Sequence, residues 1–244
     1  MGCVKREELI RYLVVIPIHD EEEVIGATLD ELIEVLPSDV AIAVGLNDCR
    51  DQSREICHER GVFVGETDSL GYGHGCRAAI REAATVGISA DAYLFFAGDG
   101  ANRPEDLLRC MDLHQSDPAQ QFIMGVRRFT LETWLAEFGR ALPNLILGSW
   151  CRLLGGQFFP DLGPLRLISR SLYEEMDLRE LVWGWTIEAQ LRAAQLGAVI
   201  TSFPVRERPR QAGRQKVSGV SMKRSAQVGL EIAKAAWRVR RNRE

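Results

Sequence analysis

The sequence predicts an α/β domain built on a Rossmann-like, mostly parallel sheet flanked by helices. Three observations predict it. Short β-rich runs alternate with helical patterns through the first 125 residues, as a sheet joined by crossover helices requires. Several of those runs are followed by acidic or polar loops, and in open parallel sheets ligands sit beyond the carboxyl ends of the strands. The 244 residues, 46% hydrophobic and 26% charged, suffice for one large core and are few for two.

Taken in order, strands are predicted at Tyr12–Ile16, Ala41–Leu46, Val62–Glu66, Tyr93–Ala97 and Phe122–Gly125. Helices of suitable length lie between them at Glu22–Leu36, Ser53–Arg60, Gly75–Val86 and Pro104–His114, the last opened by a proline suited to a first helical turn. Thr133 to Leu154 reads as helical with an interruption at Pro143, and Gly155-Gly156 and Pro160 end it. An extended piece at Pro164–Ile168, a helix at Trp185–Leu196 and a strand at Val199–Phe203 follow. From Met222, apolar residues at Ala226, Leu230, Ala233 and Trp237 keep helical spacing while Lys234, Arg238, Arg240, Arg241 and Arg243 crowd the end, which makes a C-terminal basic amphipathic helix. Residues 1–219 are thus expected to form the main domain and 220–244 the helix. That helix either packs on the domain or lies reversibly on an anionic membrane surface.

A formal net charge of -4 argues against nucleic-acid binding, which needs a clustered positive field. The six cysteines are scattered without a Cys-x-x-Cys pair, so reduced thiols in a cytoplasm are expected, with neither disulfides nor zinc. The longest apolar stretches, Leu13–Ile18 and Ala41–Leu46, are strand-length and far below the ~20 residues of a membrane-spanning helix. The expected location is cytoplasmic, with peripheral contact at the inner membrane face as the tail's option.

Three loops carry the chemistry: Pro17-Ile18-His19-Asp20-Glu21 after the first strand, Asn47-Asp48-Cys49-Arg50-Asp51 after the second, and Gly98-Asp99-Gly100-Ala101-Asn102 after the fourth. A carboxylate cluster facing a phosphate ligand implies a bridging divalent cation. Gly71-Tyr72-Gly73-His74-Gly75-Cys76 lacks the third glycine of a dinucleotide fingerprint and follows the third strand rather than the first.

Val14-Val15-Ile16-Pro17-Ile18-His19-Asp20-Glu21-Glu22 resembles the opening motif of glycosyltransferase family 2, usually Pro-x-x-Asn-Glu. Gly71–Cys76, Asp161-Leu162-Gly163-Pro164-Leu165-Arg166, Gly184-Trp185-Thr186-Ile187-Glu188 and Gln215-Lys216-Val217-Ser218-Gly219 fit the same family in order and spacing, and its polyprenyl-phosphate-glycosylating branch in particular. The resemblance implies a GT-A fold and a catalytic domain in which Pro17, Asp20, Glu21, Asn47, Asp51, Gly71, Gly73 and Asp99 bind the nucleotide-sugar donor. It implies Mg²⁺ or Mn²⁺ at Asp99, phosphate contacts from Arg166 and Lys216, and catalytic roles for Asp161 and Glu188. Each has a purely structural alternative: Asp20 and Asp51 precede helices and can cap them, Asp99 can make a turn, Asp161 can cap a turn, and Glu188 can pair with Arg192. The family's Asp-x-Asp is Ala97-Gly98-Asp99 here, so only its second aspartate remains.

The sequence therefore points to transfer of a sugar from a UDP- or GDP-sugar to an acceptor, a polyprenyl phosphate or a hydroxyl-bearing molecule, with inversion implied by the resemblance. The alternative is a non-catalytic sugar-nucleotide or lipid-carrier binding module with a degenerate metal motif. Neither the sugar nor the oligomeric state follows from these residues.

Overall fold

The computed structural model describes residues 10–127, 152, 159, 161–209 and 222–241, with 222–228 described by backbone alone. The chain runs through β1 (Tyr12–Ile18), α1 (Ile25–Val35), β2 (Val40–Asn47), α2 (Ser53–Glu59), β3 (Phe63–Thr67), α3 (Tyr72–Thr85), β4 (Ala92–Phe95), α4 (Pro104–Ser116), β5 (Phe122–Arg127), β6 (Arg166–Ser169), α5 (Arg170–Met176), α6 (Trp185–Gln195), β7 (Ile200–Val205) and α7 (Met222–Arg241). The strands make one sheet in the order β3-β2-β1-β4-β6-β5-β7. β1 to β4 are mutually parallel, and β6 runs antiparallel between β4 and β5. β5 and β7 are again parallel to each other. It follows that β1, β2, β3, β4, β5 and β7 all end at the same edge.

Both faces of this sheet are covered, which explains why its central strands read as nearly continuous apolar runs. One face, with Leu13, Val15, Tyr93 and Phe95, packs against α3, α6 and α7; the other, with Tyr12, Val14, Ile16 and Leu94, packs against α1 and α4. Leu29 and Leu32 of α1 are fully buried there, each contributing roughly 1.5–3 kcal/mol. The C-terminal helix packs on the domain through Ala235, Ala236 and Val239, and Arg238 reaches Glu180 at 2.6 Å. Among the described residues no helix is long and apolar enough to cross a membrane.

Three boundaries differ from the sequence expectation for identifiable reasons. β1 continues through Pro17 to Ile18 because the Val15 carbonyl accepts from Phe96 N–H, the last rung to the β4 side, so the donor that Pro17 lacks would fall beyond the ladder. α1 starts at Ile25 rather than Glu22 because the amides of Glu21 and Glu22 donate across to Ser53 Oγ and Asp51 Oδ2. The glycine-rich segment is the first turn of α3, not a loop. A Cβ on Gly75 would meet the Pro17 side chain at 2.8 Å, and one on Gly73 would meet Trp185 Cδ1 at 2.6 Å, so glycine lets this helix sit close to β1 and α6. The short α5 was not anticipated; Ser169 opens it, its hydroxyl accepting from Leu172 N–H.

The predicted helical stretch Thr133–Leu154, apart from Arg152, and the Gln215–Gly219 segment with Lys216 lie outside the described residues.

Candidate active site

The loops after β1 and β2 are tied to each other by side chains that accept backbone amides. Asp20 Oδ1 accepts from Arg50 N–H at 2.7 Å, Asp51 Oδ2 from Glu22 N–H at 2.9 Å, and Glu22 Oε2 from Gln52 N–H at 2.9 Å. Asp51 Oδ1 also takes Ser53 N–H at the start of α2, at 3.0 Å. At the cap positions themselves, Val24 of α1 and Gln52 of α2, no side chain makes a cap hydrogen bond. Asp20 and Asp48 adopt left-handed backbone with φ of 50° and 51°, a strain of roughly 1–2 kcal/mol for an average residue that aspartate tolerates better than most. The cross-loop hydrogen bonds offset it.

Asn47 joins three elements. Its amide donates to Ile18 O at 2.6 Å and its carbonyl accepts Gly71 N–H at 3.0 Å, while its own backbone oxygen meets His19 Nδ1 at 2.9 Å. The structure thereby gathers Pro17, Asp20, Glu21, Asn47, Asp51 and Gly71 at one corner of the strand-end edge. The Gly71 amide is engaged by Asn47, and Gly73 faces Leu181 and Trp185. Ligand atoms of Asp20, Cys49 and Asp51 lie within 4.8 Å of one another. Burial pushes the Cys49 thiol up to about 11, and the Cys49 and Asp20 hydrogen bonds tie the two loops together.

At the end of β4, Gly98 touches Ile18 so closely that a Cβ would meet it at 2.3 Å. Asp99 stands next to it, half-buried, with Oδ1 accepting Ala101 N–H at 3.1 Å. Ala97 offers no ligand atom there. Mg²⁺ or Mn²⁺ suits the Asp99 carboxylate, since such hard cations take oxygen donors and keep waters and phosphate oxygens beside one or two protein carboxylates.

Buried Asn102 closes the turn, accepting Ala97 N–H on Oδ1 and donating to Glu207 Oε1, both at 3.4 Å. Glu207 follows β7 and faces Arg127 Nη1 at 3.6 Å. Arg127 in turn makes a two-pronged pair with Asp161, Nη2 to Oδ1 at 2.6 Å and Nε to Oδ2 at 2.9 Å. The amides of Arg127 and Leu162 also donate to Asp161. Burial disfavours the Arg127 charge, but the Asp161 hydrogen bonds outweigh it and hold the guanidinium protonated. Glu207, between Arg206 and Arg208, stands in none of the sequence motifs; the signal was one acid on a strand end at this edge.

The remaining candidates lie deeper. Glu188 is 2% exposed, and its Oε2 accepts Arg179 N–H at 2.8 Å and Glu180 N–H at 2.7 Å. Burial raises its pKa, and those amides oppose the rise. Arg192 does not pair with it in any described ion pair or hydrogen bond. Arg166 is fully buried, donates to the carbonyls of Gly163 and Thr186 and lies over the Trp185 ring at 5.5 Å. Its hydrogen-bond partners are those two backbone carbonyls, and its Nε is buried without one.

The sequence of the chain matches Glycosyl transferase family 2 over residues 13–176, more than half its length. The chain belongs to glycosyl transferase family 2. An uncharacterized glycosyltransferase of Mycobacterium tuberculosis is 26% identical over 211 residues, covering 84% of this chain and 89% of that relative. One from Mycobacterium bovis matches to the same extent. Among solved structures, glucosyl-3-phosphoglycerate synthase of Mycobacterium tuberculosis in complex with Mn²⁺, UDP-glucose and glycerol 3-phosphate has a TM-score of 0.69 at 14% identity, over 94% of this chain and 79% of that one. The same enzyme with Mg²⁺ and UDP gives 0.70, also at 14% identity, with the same two coverages. At that identity the likeness establishes the GT-A fold of this family 2 glycosyltransferase, and the fold alone.

Proposed function

We propose that this glycosyltransferase moves a sugar from a uridine diphosphate sugar to a phosphate-bearing acceptor, with Mg²⁺ or Mn²⁺ held at Asp99. The observation that carries the reading is the meeting of the β1, β2 and β4 end loops at one edge, with Asp20, Glu21, Asn47 and Asp51 on one side and Asp99 on the other. Similar proteins solved with UDP and a divalent cation support uridine as the base and the cation as the cofactor.

In this reading Asp51, Glu21 and the Asn47 corner orient base and ribose, and Pro17 lines the wall beside them. The cation, when bound, neutralises the diphosphate that leaves. Charge developing on a leaving diphosphate is the main electrostatic demand of the step. Gly71 and Gly73 let the start of α3 come close to Asn47 and α6, bringing the positive end of that helix near the donor corner. Lys216 is proposed as a further phosphate contact. Arg166 acts as a positioning residue, fastening the Gly163 turn to the start of α6.

A hydroxyl acceptor needs a general base within reach. Asp161 is neutralised by Arg127 and Glu188 is occupied by two amides, which favours an attacking oxygen that is already anionic, such as that of a polyprenyl phosphate. The outer face of α7, where Leu230 and Trp237 are more than half exposed beside Lys234 and Arg241, is the surface proposed to meet a lipid-borne acceptor. Inversion at the anomeric carbon is the stereochemistry proposed.

The test is incubation with radiolabelled UDP-glucose and other UDP- and GDP-sugars plus Mn²⁺, offering polyprenyl phosphate or phosphoglycerate. Labelled lipid from a UDP-sugar supports the full reading, and labelled phosphoglycerate replaces its acceptor. Transfer only from GDP-sugars overturns the donor, and tight UDP binding without any transfer or hydrolysis favours the binding module that Ala97 suggests.

A further inference from the structure

The metal motif of this chain keeps one aspartate, and the strand-end edge offers a second carboxylate from elsewhere. We infer that Glu207, delivered from the end of β7, shares with Asp99 the divalent cation of the donor diphosphate, in place of the carboxylate that Ala97 does not supply. This rests on the donor-binding reading above.

The topology brings the two acids to one edge. β7 is parallel to β5, β5 and β4 are each antiparallel to β6, and so β4 and β7 end on the same side. The segment after β7 then fastens to the turn after β4: Arg208 N–H donates to Ala101 O at 2.8 Å and the Arg208 guanidinium to Asn102 O at 3.1 Å. Asn102 reaches Glu207 with one end of its side-chain amide and the backbone of Ala97, the vacated position itself, with the other. Glu207 is thus fixed against the turn that presents Asp99.

Its contacts are those of a carboxylate held loosely. Asn102 at 3.4 Å and Arg127 at 3.6 Å are long beside the 2.6 to 3.0 Å contacts that Asp161 makes with Arg127. A quarter of the side chain, 25%, is exposed, so a ligand at the edge can reach it. The charges of Asp161 and Asp99 lie near the partly buried Glu207, opposed by that of Arg127. A divalent cation beside Glu207 and Asp99 relieves that repulsion, which Arg127, committed to Asp161, meets only in part. Two carboxylates plus diphosphate oxygens and water make the oxygen-only shell that Mg²⁺ and Mn²⁺ prefer.

The experiment reads Mn²⁺ binding directly, from the loss of the free Mn²⁺ paramagnetic resonance signal on titration with full-length protein in the presence of UDP. Glu207→Gln should weaken Mn²⁺ by at least about tenfold, as should Asp99→Asn. Adding Ala97→Asp to Glu207→Gln should bring affinity back to within about threefold of wild type, because it restores a second carboxylate at the position Asn102 already marks. Thermal melting accompanies each variant. Should Glu207→Gln not fold, Glu207→Asp keeps the charge beside Arg127 but withdraws the carboxylate, and it too should weaken Mn²⁺. Unchanged Mn²⁺ affinity in the Glu207 variant overturns the inference and leaves the donor reading intact. Weakened binding that Ala97→Asp does not repair also overturns it and assigns Glu207 to positioning Arg127. If wild type takes up no Mn²⁺ with UDP, both the inference and the metal-assisted reading fall.

Discussion

Carboxylates do different work in the two halves of the sheet. Between β1 and β4 the acids at the strand ends, Asp20, Asp51 and Asp99, are half-buried and accept backbone amides of the strand-end loops. From β5 onward Asp161 and Glu188 are each 2% exposed; Asp161 takes the backbone and guanidinium of Arg127, and Glu188 takes the amides of Arg179 and Glu180. The first group stands where a ligand can compete for it; the second is part of the frame. Acids that look alike in a motif can thus differ in what their loss should do, and substitutions at both kinds of site test the division.

The largest effect is expected at Asp161. Asparagine there leaves the Arg127 charge buried without its partner, and breaking such a pair costs roughly 3–5 kcal/mol. Urea denaturation measures it; a loss under about 1 kcal/mol would remove Asp161 from the frame. Next comes Gly73→Ala, whose methyl must displace Trp185 or the Leu181 backbone, with overpacking costs of about 1–3 kcal/mol. Wild-type melting in that variant would show the contact between α3 and α6 to be looser than the structure has it.

A smaller, pH-dependent effect belongs to Glu188. Its pKa in the fold is raised from 4.5, chiefly by burial. The stabilisation linked to that rise is present below the unfolded value and is lost as pH climbs through the folded one. Relative to Glu188→Gln, wild type should therefore lose stability as pH rises from below 4.5 toward neutrality. Melting curves of both proteins across that range decide it, and a constant difference would mean that the amides of Arg179 and Glu180 cancel the burial.

Much of this was legible in the sequence. The parallel strands announce themselves because both faces of the sheet are covered, and Asp20, Asn47, Asp51 and Asp99 stand in short motifs at strand ends. What was not legible depends on register and long-range closure. Asp161 meets Arg127, 34 residues before it, only because β5 and β6 pair antiparallel. Glu207 sits among arginines, and its place beside Asp99 needs the β4-β6-β5-β7 order that no local pattern encodes. α5 is a single short helix of seven residues, too brief for periodicity to register. The start of α3 was hidden because glycines, poor helix formers, are required there by close packing rather than by a turn.

The most direct test of the division is calorimetric titration of UDP, with Mn²⁺ in excess, into wild type and Asp51→Asn. The account predicts that wild type binds and that the variant loses about tenfold or more in affinity while its stability falls by only ~1 kcal/mol. Equal UDP affinity in the two proteins, or none in wild type, would contradict it.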